Sequence, residues 1–234
     1  MKVTEFKRYI LIVCLAVFAL ESCDSQLTTR ILFIGNSFTF VNGGLDKQLK
    51  GLAPTTEAVC IVVGGYTLKK HWTDGNAVQT IREGKWDYVI LQEQSQIPVI
   101  NQIEFYDYVR KFDEEIRRNG AKTILLMTWE RPDSRKFGVT TDNLATAYTA
   151  IGKELGVKVA PVGLAFARSI FNKPELTLYS QDGHPTMEGT YLAACVLYQT
   201  IFENSPVGNS YSEKSIPAEM RAYLQGIAAE NSGM

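Results

Sequence analysis

The chain has 234 residues and a formal net charge of −1, with 45% hydrophobic and 21% charged residues. This near-neutral composition, without a run of basic residues, argues against a nucleic-acid partner and against attraction to an acidic membrane surface. A chain of this length buries a sizeable core without metals or disulfides, so we expect one globular domain.

The N-terminus has the pattern of an export signal. Three basic residues within the first eight precede an apolar stretch from Tyr9 to Leu20, which is short for a bilayer span. The following Leu-Glu-Ser-Cys resembles a bacterial lipoprotein signal in which Cys23 receives the lipid; plain secretion with cleavage near Cys23 is the alternative. We predict an exported protein of the cell envelope that contacts the membrane only through a lipid anchor. The predicted parts are a signal peptide at 1–22, a tether at 23–29 and a folded domain at 30–234.

Two cysteines fall inside the predicted domain. Cys60 lies in an apolar strand and Cys195 in an apolar helix, and their spacing does not indicate a metal site. Buried thiols that pack as small hydrophobic groups are therefore expected. A disulfide between the two is the alternative in an oxidising compartment.

Five short apolar strands alternate with helical segments along the rest of the chain. The predicted strands are Ile31–Ile34, Glu57–Val63, Asp87–Leu91, Thr123–Met127 and Lys158–Val162. The predicted helices are Gly44–Leu52, Leu68–Trp72, Ala77–Glu83, Ile103–Arg118, Asn143–Leu155, Leu164–Phe171, Pro185–Phe202 and Pro217–Ala229. This alternation predicts an α/β fold, a three-layer α/β/α sandwich around a five-stranded parallel, flavodoxin-like sheet.

Polar residues or glycines follow each of the first four strands. In order they are Ser37, Gly64-Gly65, Gln92–Ser95 and Thr128–Glu130. The carboxyl ends of parallel strands meet at one edge of the sheet, so we expect these residues to lie together. Ser37 directly follows the first strand and is the first candidate for a nucleophile.

A serine needs a neighbouring base to become a useful nucleophile, and histidine suits that task at neutral pH. The chain has two histidines, so the base is either His71 or His184. Asp182, two residues before His184, is placed to accept an imidazole N–H and fix the tautomer. That aspartate favours His184.

Four of these features resemble the SGNH (GDSL-like) hydrolase superfamily and occur in its order. They are the Gly-Asn-Ser turn after strand one, the glycines after strand two, an amide donor after strand three and an Asp-His pair near the C-terminus. The similarity spans most of the mature chain. It is greatest to a bacterial envelope branch with ILFIGNSFT near its start and a His-Pro followed by GTYLAA near its end. The G-x-S-x-G elbow of α/β-hydrolases is absent.

The resemblance implies a role for each residue of a hydrolytic site. Ser37 is then the nucleophile, and its own backbone N–H is one oxyanion donor. Gly65, or else Gly64, corresponds to the second-block glycine that donates a backbone N–H. His184 corresponds to the base and Asp182 to the acid that orients it.

Three positions depart from the superfamily's pattern. Asn36 stands where the serine block usually has an aspartate, a position that does not carry the nucleophile. The third-block asparagine is missing, and Gln94 offers the same amide donor on a longer stem. The acid usually stands three residues before the histidine, where this chain has Gln181. Asp182 stands two residues before it, a spacing that resembles the sialate O-acetylesterase-like branch.

Three further residues are expected at the rim of the pocket, as substrate-binding groups or as structural ones. Trp129 either stacks on a sugar ring or covers the end of the sheet. Arg131 either holds a carboxylate or pairs with a neighbouring acid. Glu93 either positions Gln94 or a water, or is an ion-paired structural acid.

We therefore expect a serine esterase that hydrolyses a small ester, an O-acetyl group on a carbohydrate, through an acyl-enzyme and without a metal or cofactor. One alternative is a catalytically inactive SGNH-fold lipoprotein that binds carbohydrate or acts as a scaffold. Another is a flavodoxin-like nucleotide or cofactor binder, although the phosphate-binding fingerprints are absent from the sequence.

Overall fold

The structure, a computed structural model, describes residues 28–230. The predicted signal peptide and the predicted lipidation site at Cys23 lie outside these residues. Within the described part of the chain, no helix is both long enough and apolar enough to cross a membrane.

A five-stranded, all-parallel sheet forms the centre of the domain, which confirms the predicted fold class. The strands are β1 (Thr29–Gly35), β2 (Thr56–Val62), β3 (Tyr88–Leu91), β4 (Lys122–Leu126) and β5 (Lys158–Ala160). Their order across the sheet is β2-β1-β3-β4-β5. The chain adds β2 on one side of β1 and then β3 on the other side, so the order of strand addition switches between β1 and β3. In such sheets ligands bind at this switch point, outside the carboxyl ends of the strands.

Helices cover both faces of the sheet. They are α1 (Ser37–Phe40), α2 (Leu45–Leu52), α3 (Leu68–Asp74), α4 (Asn76–Glu83), α5 (Ile97–Ile100), α6 (Gln102–Arg118), α7 (Thr141–Leu155), α8 (Val162–Asn172), α9 (Met187–Phe202) and α10 (Ala218–Ala229). Ile31 and Phe33 of β1 pack on one core with α2, α8, α9 and α10. Leu32 and Ile34 pack on the other core with α3, α4, α6 and α7. Because successive strand residues face opposite sides, the apolar run Ile31–Ile34 of β1 is buried on both faces of the sheet.

The predicted elements are all present, with bounds that differ by a few residues. The clearest error is at the start of α9, which begins at Met187 rather than Pro185. Pro185 pairs instead with Tyr179 in an isolated antiparallel bridge, and Thr186 caps the helix by accepting the Gly189 N–H. At the other end of the domain, β1 begins at Thr29, inside the predicted tether.

The two cysteines of the domain are free thiols. Cys195 is buried within α9, and Cys60 is half-buried in β2. Burial raises the pKa of each thiol to about 12, so both act as small packing groups. The disulfide alternative is therefore not found.

Candidate active site

Ser37 lies where β1 turns into α1. Asn36 is the N-cap of this short helix, and its side-chain oxygen accepts the Phe38 N–H at 3.2 Å. Asparagine is a favoured N-cap because its side chain satisfies an N–H that the first helical turn leaves unpaired. The turn also needs a glycine before it, since a Cβ on Gly35 would stand 2.6 Å from Gln92 Oε1. The half-buried Ser37 is thus held at the carboxyl end of a central strand.

Three side chains form a continuous hydrogen-bonded chain at this point. His184 Nε2 lies 2.8 Å from Ser37 Oγ, although 147 positions separate the two residues in the chain. On the other side of the ring, His184 Nδ1 lies 2.9 Å from Asp182 Oδ2. An ionised carboxylate accepts a hydrogen bond but cannot donate one, so Nδ1 carries the hydrogen and Nε2 is free to accept the serine proton.

A tight turn brings Asp182 and His184 together. Gly183 has a φ of +85°, a left-handed conformation that glycine adopts without strain. The turn is closed by Gly183 N, which donates to Ser180 O at 2.9 Å, and by Ser180 N, which donates to His184 O at 2.8 Å. Asp182 accepts hydrogen bonds from the Ser180 hydroxyl, the His184 backbone N–H and the His184 ring, which together hold the pKa of its carboxyl well below the usual range.

An aromatic stack packs against the His184 ring. Phe38 meets the His184 ring edge-on, with ring centroids 5.5 Å apart, and stacks on Trp129 at 4.5 Å. Trp129 stacks in turn on Phe166, and its Nε1 donates to Gly183 O at 3.0 Å. Only 2% of Trp129 is exposed, so it has no open face for a sugar ring. Its contacts fit the alternative reading, in which it covers the end of the sheet.

The glycines after β2 lie in an exposed loop next to the serine turn. Asn36 Nδ2 donates to Tyr66 O at 3.0 Å and so ties this loop to the start of α1. Gly65 has a φ of +72°, and both Gly64 and Gly65 are open to solvent. Backbone N–H groups from such a loop can stabilise a negative oxygen near the serine.

Glu93 is a buried acid and not a rim residue. Only 1% of it is exposed, and its carboxyl group accepts the Leu68 N–H at 3.1 Å and the Gln94 N–H at 2.6 Å. Burial raises its pKa to about 8, against the opposing effect of these hydrogen bonds. The expectation of direct substrate contact is wrong for this residue, because substrate cannot reach it here. Its bond to the Gln94 backbone agrees with the alternative that it positions Gln94.

Gln94 and Arg131 both have partners of their own. The Gln94 side-chain oxygen accepts the Gln96 N–H at 2.8 Å. Arg131 pairs with Asp133 at 3.3 Å, as the structural alternative expected, and its side chain packs against Gly183. A Cβ on Gly183 would stand 2.6 Å from Arg131 Cγ, so Arg131 packs directly against the turn from Ser180 to His184, which we call the base turn after the predicted role of His184.

Sequence reasoning placed Gln92 among the residues at the strand ends but gave it no role of its own, and Gln92 is buried. Its Oε1 accepts the Asn36 N–H at 2.8 Å and the Thr39 hydroxyl at 3.0 Å, so it holds the turn on both sides of Ser37. Its own amide donates to the backbone oxygen of Glu93. The available signal was its place directly after β3, the strand that pairs with β1.

His71, the other candidate base, has a structural position. It is buried, and its Nε2 lies 2.7 Å from Gly35 O, an acceptor to which the ring must donate. Burial lowers the pKa of His71, which favours the neutral ring. His71 therefore supports the end of β1, whereas His184 meets the serine hydroxyl.

Several solved structures have a similar fold. A candidate SGNH hydrolase from Slackia heliotrinireducens gives a TM-score of 0.66 at 28% identity, over 74% of this chain and 99% of that one. A DUF4886 family protein from Bacteroides uniformis gives 0.68 at 18% identity, over 86% and 93% of the two chains. A lipase/acylhydrolase from Enterococcus faecalis gives 0.57 at 13% identity, over 74% and 95%. A scan of protein-family models and a search of curated proteins gave no match.

These similarities, together with the parallel sheet and its strand order, define the class of fold. The chain has the α/β fold of the SGNH hydrolases, which is the fold that its motifs predicted.

Proposed function

We propose that this protein is a serine ester hydrolase of the SGNH type. One observation carries the proposal: Ser37 Oγ lies 2.8 Å from His184 Nε2, and His184 Nδ1 lies 2.9 Å from Asp182. A hydroxyl, an imidazole and a carboxylate in this order are the parts of a nucleophilic triad. The similarity of fold to a lipase/acylhydrolase supports the same reaction class.

The reaction proceeds through an acyl-enzyme. Ser37 Oγ attacks the ester carbonyl carbon while its proton passes to His184 Nε2. The negative oxygen of the tetrahedral intermediate is stabilised by the backbone N–H groups of Ser37 and Gly65 and by the Gln94 amide. The intermediate collapses, the ester C–O bond breaks, and His184 returns the proton to the leaving alcohol. Water then attacks the acyl-serine by the same route and releases the carboxylic acid.

The openness of the site supports an ester of a large alcohol. The side chains of His184 and Asp182 are 36% and 67% exposed, and Gly64 and Gly65 are open to solvent. A bulky alcohol portion, such as a sugar, therefore has room beside the serine. An O-acetylated carbohydrate fits this description, and the predicted export signal agrees with such a substrate in the cell envelope. Recognition of the sugar then falls to exposed residues, since Trp129 is buried.

The test combines covalent labelling with turnover. A fluorophosphonate probe is expected to label wild-type protein at Ser37, and peptide mapping identifies the site. Ser37→Ala should abolish both labelling and hydrolysis of p-nitrophenyl acetate, and His184→Ala should reduce both by several orders of magnitude. Equal rates for wild type and Ser37→Ala would instead favour the inactive carbohydrate-binding or scaffold alternative.

A further inference from the structure

Asn42 joins the serine segment to the histidine segment with one side chain. Its Nδ2 donates to Pro185 O at 2.7 Å and to Thr190 Oγ1 at 2.9 Å. Asn42 lies shortly after α1, the helix that begins with Ser37, and Pro185 directly follows His184. The two groups that form the bond to Pro185 are 143 residues apart in the chain.

The backbone at Asn42 is held in a conformation that non-glycine residues rarely adopt. Its φ of 54° and ψ of 34° are left-handed, and Gly43 and Gly44 after it also have positive φ values. Asparagine tolerates this region better than most residues, and such positions persist only where the surrounding structure requires them. The left-handed backbone places the Asn42 side-chain amide within hydrogen-bond distance of Pro185 O and Thr190 Oγ1.

The two carbonyl groups on either side of His184 are both held by side chains. Trp129 Nε1 donates to Gly183 O at 3.0 Å, and Asn42 donates to Pro185 O. Ser180 and Asp182, which complete the turn, are exposed and lie on its outer side. Of the two supports, only Asn42 belongs to the same segment as Ser37.

We propose that Asn42 is a positioning residue that sets the distance between Ser37 Oγ and His184 Nε2. The inference rests on the proposed esterase function, because that distance matters only if the serine passes its proton to the imidazole. Thr190 takes part as an anchor on α9: its hydroxyl donates to Thr186 O at 3.0 Å, which leaves its oxygen to accept from Asn42. Loss of the Asn42 amide leaves this turn with its own backbone hydrogen bonds and the bond from Trp129, but without the hydrogen bond that joins Pro185 to the segment of Ser37.

Asn42→Gly is the informative variant. Glycine suits the left-handed backbone, so this change removes the amide without straining the turn. We expect kcat for p-nitrophenyl acetate to fall by about a hundredfold, the size of effect that a displacement of about 1 Å can produce, with KM within about twofold of wild type. Asn42→Asp keeps the shape of the side chain but has no N–H to donate, so it should likewise lower kcat and leave KM near the wild-type value.

Asn119→Gly is the matched control. Asn119 Nδ2 donates to Gly84 O at 3.0 Å, an equivalent amide-to-carbonyl bond at the C-terminal end of α6. This variant should lose thermal stability without losing kcat. A kcat for Asn42→Gly within twofold of wild type would overturn the proposal, and so would an equal loss in Asn119→Gly.

A second measurement does not depend on turnover. The chain has two histidines, so the ring nitrogen signals of His184 can be assigned by NMR with a His184→Ala variant. We expect the Nε2 signal of His184 to move in Asn42→Gly toward that of a ring no longer bonded to the serine. Unchanged ring signals would overturn the positioning role. Absence of Ser37-dependent labelling in wild type would refute the esterase proposal, while the NMR comparison would still test whether Asn42 positions the His184 ring.

Discussion

Asp182 and His184 are joined by two hydrogen bonds although a single residue separates them. Asp182 Oδ2 lies 2.9 Å from the His184 ring at Nδ1, and Asp182 Oδ1 accepts the His184 backbone N–H at 3.1 Å. The left-handed Gly183 folds the chain back so that the carboxylate faces both groups. A spacing of two residues therefore brings the carboxylate to the ring nitrogen, which is the contact that the proposed mechanism requires.

Asp182→Asn should lower kcat by about two to four orders of magnitude. The asparagine amide keeps the size of the carboxylate but favours the tautomer in which Nε2 carries the proton and cannot accept one from Ser37. Esterase assays near neutral pH measure the loss, and Ser180→Ala, which removes one supporting hydrogen bond to Asp182, should have a much smaller effect. A kcat for Asp182→Asn close to that of wild type would mean that the acid does not orient the ring.

Gln92→Met should lower kcat while leaving the fold intact. Methionine fills a similar volume but cannot accept the Asn36 N–H, so the turn that carries Ser37 loses its fixed partner. We expect a loss of about ten- to a hundredfold in kcat, by analogy with other supporting side chains.

Thr39→Val is the matched control for Gln92. It removes the second donor to the same Gln92 oxygen but keeps the bond to the Asn36 N–H. Thr39→Val should lower the free energy of unfolding by about 1–3 kcal/mol, and it should lower kcat much less than Gln92→Met, which removes both bonds to the turn. Equal activity in the two variants would contradict a role for Gln92 in placing the serine.

The sequence predicted those parts of the molecule that depend on local pattern. The run Ile31–Ile34 is buried on both faces, and such a run indicates a central parallel strand before any contact is known. Ser37 and His184 were found through motif order and the scarcity of histidines.

The supporting residues could not be found in this way, because their roles depend on contacts between distant segments. Asn42 meets Pro185, and Gln92 meets Asn36, only after the sheet has brought those segments together. The polar Glu93 and the amphipathic Trp129 were expected at the rim because each follows a strand. Both residues are instead buried: Glu93 accepts hydrogen bonds from Leu68 and Gln94, and Trp129 stacks between Phe38 and Phe166.

Trp129→Phe tests whether the tryptophan supports the base turn. Phenylalanine keeps an aromatic ring in the stack but cannot donate to Gly183 O, so the turn around His184 is held less firmly. We expect kcat to fall by about tenfold and the free energy of unfolding to fall by about 1–3 kcal/mol. KM for an acetylated sugar should stay near the wild-type value, whereas a tryptophan that served as a sugar platform would raise it.

Trp72→Phe is the control for this substitution. Trp72 meets Phe112 edge-on in the other core, between α3 and α6. Trp72→Phe should lower the free energy of unfolding about as much as Trp129→Phe does, without changing kcat. Equal losses of kcat in the two variants would show that the effect of Trp129→Phe is a general loss of packing.

Glu93 should make the protein less stable as the pH rises from about 5 to about 8. Burial raises the pKa of its carboxyl from the ordinary 4.5 to about 8, with a further contribution from the nearby Glu104. Between these values the folded chain keeps a proton that the unfolded chain has released. The free energy of unfolding therefore falls as pH rises through this window, by at most about 1.4 kcal/mol per pH unit, and this group adds no further loss above about pH 8.

Glu93→Gln removes this titration while keeping the shape of the protonated acid. Urea unfolding across this pH window should show that the free energy of unfolding of Glu93→Gln rises relative to that of wild type as the pH rises. Glu175→Gln changes an exposed glutamate and should leave the wild-type pH dependence as it is. If Glu93→Gln and wild type lose stability in parallel, the Glu93 carboxyl ionises at its ordinary pKa in the folded protein, and the bonds from Leu68 and Gln94 offset the effect of burial.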